Sequence, residues 1–199
     1  TRDLSEYTAI IMPSQSPGGI LNGNRKGRMP EKFVGGIGTN GVEALDAYAK
    51  AGGTIIFYDN ASDFAIQQFK LPIKNATSGL KSSEFFIPGS LIRTNVDTKH
   101  RLGFGMMEEV AASFNRSRAF KMDAGATGVT EIAKYASEDL LMSGWALGEE
   151  NHLANTSAMM HVTHGEGDLI LFAFRPQFRA QPRGTYKLIF NAIYLGAER

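Results

Sequence analysis

Cysteine does not occur in this 199-residue chain. Its absence excludes disulfides, thiolate-held zinc and thiol nucleophiles, and it leaves the redox compartment open. Tryptophan occurs once, as Trp145, and there are four histidines, so stacking platforms and imidazole chemistry have few candidates. Excess charge of one sign is also missing. Lys plus Arg number 21 against 20 Asp plus Glu, a net charge of +1, which gives no long-range field for nucleic acid or an anionic membrane; neither is expected as a partner. No apolar run approaches the roughly 20 residues that span a bilayer, and no charged-then-apolar leader opens the sequence. The chain starts at Thr1 rather than Met, which suggests a processed or excised piece of a longer protein.

What is present is a globular composition, 43% hydrophobic and 21% charged, long enough to bury one substantial core. A single domain over residues 1–199 is expected. Residues 7–12, YTAIIM, form an apolar run stopped by Pro13, which suits a buried strand. Residues 18–38, rich in Gly, Asn, Lys and Arg, are expected to form a long surface loop of the kind that often carries function. Thr39 is expected to cap a helix through Val42, Leu45, Tyr48 and Ala49, ended by Gly52-Gly53. A buried strand (54–58, TIIFY) and a helix (61–69) follow, and this alternation points to a parallel α/β sheet.

Beyond Pro72 the runs shorten. Strands are expected over 84–87, 90–96, 129–135 and 157–162, and a helix over 107–115. A hairpin turn at Gly165-Glu166-Gly167 leads into a last apolar strand, and helical spacing of Tyr186, Ile189, Phe190, Ile193 and Tyr194 closes the chain. The four histidines, His100, His152, His161 and His164, include one close pair. His161 and His164 lie three apart on a strand and so face opposite sides, which does not suit a shared metal. No metal or other cofactor is expected in this chain.

The last apolar strand, DLILFAFRPQFRAQ (168–181), ends in Arg175, Pro176, Gln177, Phe178 and Arg179. It resembles the final core strand of class I glutamine amidotransferase-like domains, which closes in Phe-His-Pro-Glu and supplies the His and Glu of a Cys-His-Glu triad. Here those places read Phe174, Arg175, Pro176 and Gln177. Arginine cannot serve as a general base near neutral pH, and glutamine cannot stabilise an imidazolium by charge. The resemblance places the nucleophile on the turn after TIIFY, a tight strand-to-helix bend. That turn carries Asp59, Asn60, Ala61 and Ser62, with the register between Asp59 and Asn60 open. Helix capping is the plainer role for Asn60 and Ser62.

Longer segments sharpen the resemblance: SQSPGGILNG (14–23), AGGTIIFYDNASDFAI (51–66), SSEFFIPGSLIRTNVDT (82–98), LLMSGWALGEE (140–150) and FRPQFRAQPRGTYKLIFNAIYLG (174–196). Together they look like the carboxy-terminal amidotransferase-like domain of bacterial zinc carboxypeptidase-like proteins of the carboxypeptidase A type. The resemblance implies a flavodoxin-like three-layer sandwich, mostly parallel with a C-terminal antiparallel hairpin, its first strand and helix missing. It implies a secreted or periplasmic protein in which zinc belongs to a separate, absent peptidase domain of the same polypeptide. That domain is the expected partner, alongside further copies of the chain in a homo-oligomer.

Three functions remain open at this level. The first is a non-catalytic accessory domain. The second is a degenerate amidotransferase-fold hydrolase using Ser62, Asp59 and Glu84. The third is a carbohydrate-binding or oligomerisation module, which exposure of Trp145 beside a groove would favour. Glu84, Arg93, Asp97, Arg175, Gln177, Arg179 and Gln181 lie near predicted strand ends, where open α/β sheets bind ligands. They suit either an anion or peptide-carboxylate site or a polar network that locks the last strand in place.

Overall fold

The computed structural model describes residues 3–198. The strands are β1 (Ala9–Met12), β2 (Thr54–Tyr58), β3 (Ile73–Asn75), β4 (Ser90–Val96), β5 (Glu109–Phe114), β6 (Phe120–Met122), β7 (Val129–Tyr135), β8 (Leu141–Ser143), β9 (Ser157–His164) and β10 (Gly167–Phe172). The α-helices are α1 (Pro17–Asn22), α2 (Gly38–Lys50), α3 (Asn60–Gln68), α4 (Glu149–His152) and α5 (Tyr186–Ala197). All these strands join one mixed sheet whose main path runs β1-β2-β10-β9-β7-β4-β5.

Every residue of β2 and of β10 is buried. Such strands need cover on both faces, and α2, α3 and α5 all pack against this part of the sheet. Parallel pairing is confined to β1, β2 and β10: β1 and β10 flank β2 in register Ala9 to Thr54 and Asp168 to Thr54. The expected hairpin is present, β9 pairing antiparallel with β10 through His164 and Gly167. It opens a larger antiparallel region than the sequence suggests, since β9-β7, β7-β4 and β4-β5 are antiparallel too. The cause is in the connections. A parallel crossover usually carries a helix of its own, and among the described residues between β3 and β10 the one α-helix is the four-residue α4.

Four local expectations are corrected. Residues 107–115 do not form a helix but contain β5, whose burial alternates with a period of two because Val110, Ala112 and Phe114 point inward. Residues 84–87 form no strand: Glu84 ends a turn, and within the segment only Phe86 bridges, to Leu147. The loop expected over 18–38 contains α1, capped by the Ser16 hydroxyl accepting from the Gly19 amide, with Pro at the first turn, a recognised start signal. Thr39 lies inside α2, which begins at Gly38 after Ile37 and has no side-chain cap.

Where the hairpin leaves α2 the backbones nearly touch. A Cβ on Gly167 would stand 2.1 Å from the Ala49 carbonyl oxygen and 2.3 Å from that of Gly53, and main-chain atoms cannot step aside as a flexible side chain can. Gly167→Ala is therefore expected to destabilise the fold by about 3 kcal/mol and lower Tm by roughly 6–12 °C. Thermal unfolding followed by circular dichroism checks this, and an unchanged Tm contradicts it.

Candidate functional site

Buried strand β2 ends in a bend that turns directly into α3, and the residue at the bend is Asp59. Its φ of 50° and ψ of −113° lie where L residues rarely go, a strain of about 1–3 kcal/mol. Asn60 is then the first residue of α3. Asp59 donates its amide to the Phe172 carbonyl at 2.8 Å, and its own carbonyl accepts from the Ser62 amide at 3.0 Å, which ties the bend to β10 and to the first turn of α3.

The Asp59 side chain is wholly buried. Its Oδ2 accepts from Arg175 Nε at 2.9 Å and from the Ser14 hydroxyl at 2.8 Å. Oδ1, also buried, has no hydrogen-bond partner among the described residues. The Arg175 side chain is 29% exposed and its guanidinium lies 5.3 Å from the Phe178 ring centre. Asn60 donates to the Ser14 hydroxyl at 3.3 Å and accepts from Arg118. Arg118 donates through Nε to Asp63 at 2.6 Å, and Asp63 also accepts from Asn75 at 2.9 Å. A chain of polar contacts therefore runs from the end of β1 through the bend to β3.

Burial pushes the Asp59 carboxyl above its usual range. Ser14, Arg175 and Arg118 pull it back without overcoming that effect. The Tyr135 phenol, fully buried and donating to the Arg118 carbonyl at 3.0 Å, is raised well above its ordinary value by burial first and by the Asp59 charge second.

The other expected residues fall elsewhere. Ser62 is buried and donates to the carbonyls of Phe172 at 2.8 Å and Phe57 at 3.2 Å. Glu84 is exposed and accepts from the Lys81 amide. Arg93 on β4 pairs with Glu109 and donates to the Asp139 carbonyl, while Asp97 accepts from the Lys99 amide. Gln177 and Arg179 lie beyond the end of β10, with Arg179 beside Phe178, and Gln181 is exposed. The structure thus brings Asp59, Asn60 and Arg175 together, holds the Ser62 hydroxyl on backbone carbonyls at the same corner, and leaves Glu84 and Arg93 apart. The histidines make separate contacts: His161 meets Asp168 at 2.6 Å and His164 meets Asp46 at 2.7 Å, His100 stands edge-on to His161, and His152 lies beside Phe85. Ser14, Asp63 and Arg118 complete the cluster, and none of them stands out as a site residue in the sequence. Ser14 follows a strand parallel to β2, a position from which its convergence can be read; Arg118 sits in a turn with no such signal.

The fold has solved counterparts. β-Galactosidase from Bacillus circulans sp. alkalophilus aligns with 97% of this chain at a TM-score of 0.56 and 12% identity, over 23% of its own length. A cytoplasmic protein from Salmonella typhimurium aligns with 96% at 0.58 and 14%, over 72% of its length. A GMP synthase-like protein from Thermoplasma acidophilum aligns with 98% at 0.55 and 12%, over 78% of its length. The chain thus spans less than a quarter of the β-galactosidase. No protein-family model and no curated protein matches the sequence. At these identities the likeness concerns the general α/β fold.

Chemically, the bend presents a carboxylate engaged by a guanidinium and a hydroxyl. Attack by Oδ2 would require breaking two donor contacts, and no imidazole or free carboxylate among the described residues stands by as a base. The ion pair gives a prediction with a definite sign. Because the folded Asp59 pKa lies above its unfolded value, its contribution to stability is complete below about pH 4 and is lost as pH rises through the folded pKa. The stability advantage of the parent over Asp59→Asn is expected to shrink from pH 4 to pH 7. Arg175→Ala strands the carboxylate only when it is ionised and should cost about 3 kcal/mol at pH 7, less at pH 4, with Arg175→Lys recovering part. Denaturant unfolding of the three variants at both pH values tests this; a parent advantage over Asp59→Asn that grows with pH reverses the assignment.

Proposed function

We propose that this chain is a catalytically silent glutamine amidotransferase-like domain that serves as the accessory domain of a zinc carboxypeptidase-like protein. The observation that carries the silence is Asp59, buried at the strand-to-helix bend and bound to Arg175. A carboxylate occupies the nucleophile's place and an arginine the base's, so each neutralises the other. The finer fold assignment draws support from that bend and from the likeness to the GMP synthase-like structure. The parent protein, its secreted or periplasmic location and the peptidase domain as partner rest on the sequence resemblance. In this reading zinc is bound only by the peptidase domain.

A second reading, a ligand-binding module, is favoured by one observation. Trp145 is 53% exposed and stands edge-on to Phe86, at 5.8 Å between ring centres, and Phe86 in turn lines a cavity.

The purified chain is expected to release no ammonia from glutamine above a buffer control. Ser62→Ala should leave that result unchanged and lower stability by about 1 kcal/mol, the worth of its buried hydrogen bonds. Ammonia release that Asp59→Asn or Ser62→Ala abolishes would overturn catalytic silence. The parent assignment has its own check: the reading frame upstream of Thr1 should encode a zinc peptidase domain, and an unrelated domain there would remove that part alone.

A further inference from the structure

A cavity of about 270 Å³ opens beside the bend. Phe85, Phe86, Arg116 and Arg118 form part of its wall, with Ser82 and Ser117, and no Asp or Glu among the described residues lines it. The two arginines differ in what they do. Arg118 is engaged by Asp63, Asn60 and the Arg116 carbonyl. Arg116 has no carboxylate partner among the described residues; its guanidinium lies 5.2 Å from the Phe86 ring centre. Its backbone is held at φ 49°, an uncommon conformation for a residue with a side chain, by its amide donating to the Ile87 carbonyl at 2.8 Å. A strained backbone thus presents an unneutralised fork of donors at the mouth of a cavity.

The aromatic pair of Phe86 and Trp145 beside the cavity is held as firmly. The Ser90 hydroxyl accepts from the Trp145 amide at 3.0 Å and donates to the Trp145 carbonyl at 2.6 Å, while Phe86 and Leu147 exchange both backbone hydrogen bonds at 3.0 and 3.1 Å. The indole is therefore half in solvent on a fixed main chain, next to Phe86. The nearby carboxylate that the sequence offers as a candidate, Glu84, is turned onto the Lys81 amide.

We propose that this cavity binds an acidic sugar residue, a hexuronate within a saccharide. Arg116 would take its carboxylate, Ser82 a ring hydroxyl, and Phe86, backed edge-on by Trp145, an apolar ring face. The volume suits one such ring, and hydroxyls beside aromatic rings fit a polyol better than a purely apolar side chain. The proposal rests on the second reading, of a binding module, and is independent of catalytic silence.

Trp145, the single tryptophan of the chain, supplies the readout. Titration with a galacturonate or glucuronate oligosaccharide should change its fluorescence saturably, and the neutral galactose or glucose oligosaccharide should not. Arg116→Gln should weaken binding roughly tenfold or more, since a hydrogen bond to a charged group is lost, without changing Tm. Calorimetry with Trp145→Phe provides a readout that does not need the fluorophore. Equal binding of neutral and acidic sugars, or full affinity in Arg116→Gln, overturns the acidic-sugar assignment while keeping a sugar module. Saturation by a peptide ending in a phenylalanine carboxylate, with none by the uronates, replaces it with a peptide site. Absence of any saturable change in both fluorescence and calorimetry overturns the binding module together with the proposal.

Discussion

Asp59 combines two costs at one residue: a carboxylate removed from solvent and a backbone in a region that favours glycine. Opposite charges about 4 Å apart at the polarity typical of proteins attract by about 4 kcal/mol, while desolvation costs several kcal/mol per ion. The near balance agrees with a carboxyl that burial keeps above its usual range despite two neighbouring guanidinium groups. The Asp59–Arg175 pair therefore adds little net stability but strongly couples the parts that it joins. β2 cannot leave its place without stranding Arg175 at the end of β10, and Ser14 at the end of β1 would lose its acceptor. Three parallel strands are fixed at one end by one carboxylate oxygen.

The strain at the bend persists although nothing there has the layout of a working triad. Its purpose is topological: β2 must turn into α3 within one residue, because Asn60 already begins the helix. The Ser62 hydroxyl spans the same corner from inside, joining α3 to the ends of β2 and β10 through two carbonyls. The Asp59 side chain is directed into protein, where Arg175 and Ser14 hold it. At this corner Arg175 supplies the cation that the buried carboxylate faces.

The features legible in the sequence are those set by local periodicity and punctuation. The five apolar residues of β2, the Gly-Gly that ends α2, the run of β7 and the Gly165-Glu166 hairpin each follow from a few neighbouring residues. The segment 107–115 misleads because Met107, Val110 and Phe114 also fit helical spacing; the sheet wins by burying Val110, Ala112 and Phe114 on one face. At the site, Asp59 and Arg175 are readable from strand ends, and a polar network locking the last strand is the arrangement that their types suggest. Arg118 is not readable, because its convergence depends on the turn 115–119 folding back over β10, where the Arg118 amide donates to the Ala173 carbonyl at 2.7 Å. Glu84 and Arg93 fall away from the bend for a related reason: their segments belong to the antiparallel part, whose edges do not coincide with the ends of the parallel strands.

That antiparallel part decides which surface remains available to a ligand. Two turns, 84–89 and 115–119, meet at the mouth of the cavity, and the 140–147 segment is laid against the first by the Phe86–Leu147 bridge. Arg118 faces the bend from this wall and is neutralised there; Arg116, two residues earlier, lies over Phe86 and is not. One short turn thus divides its two cations between a closed structural network and an open rim. The division has a physical origin: Arg118 is anchored through its amide to the last core strand, whereas Arg116 is anchored through its amide to Ile87 and has Phe86, rather than an acid, beneath its guanidinium. A ligand of the proposed cavity would meet Arg116 first, because Arg118 is already committed to the fold.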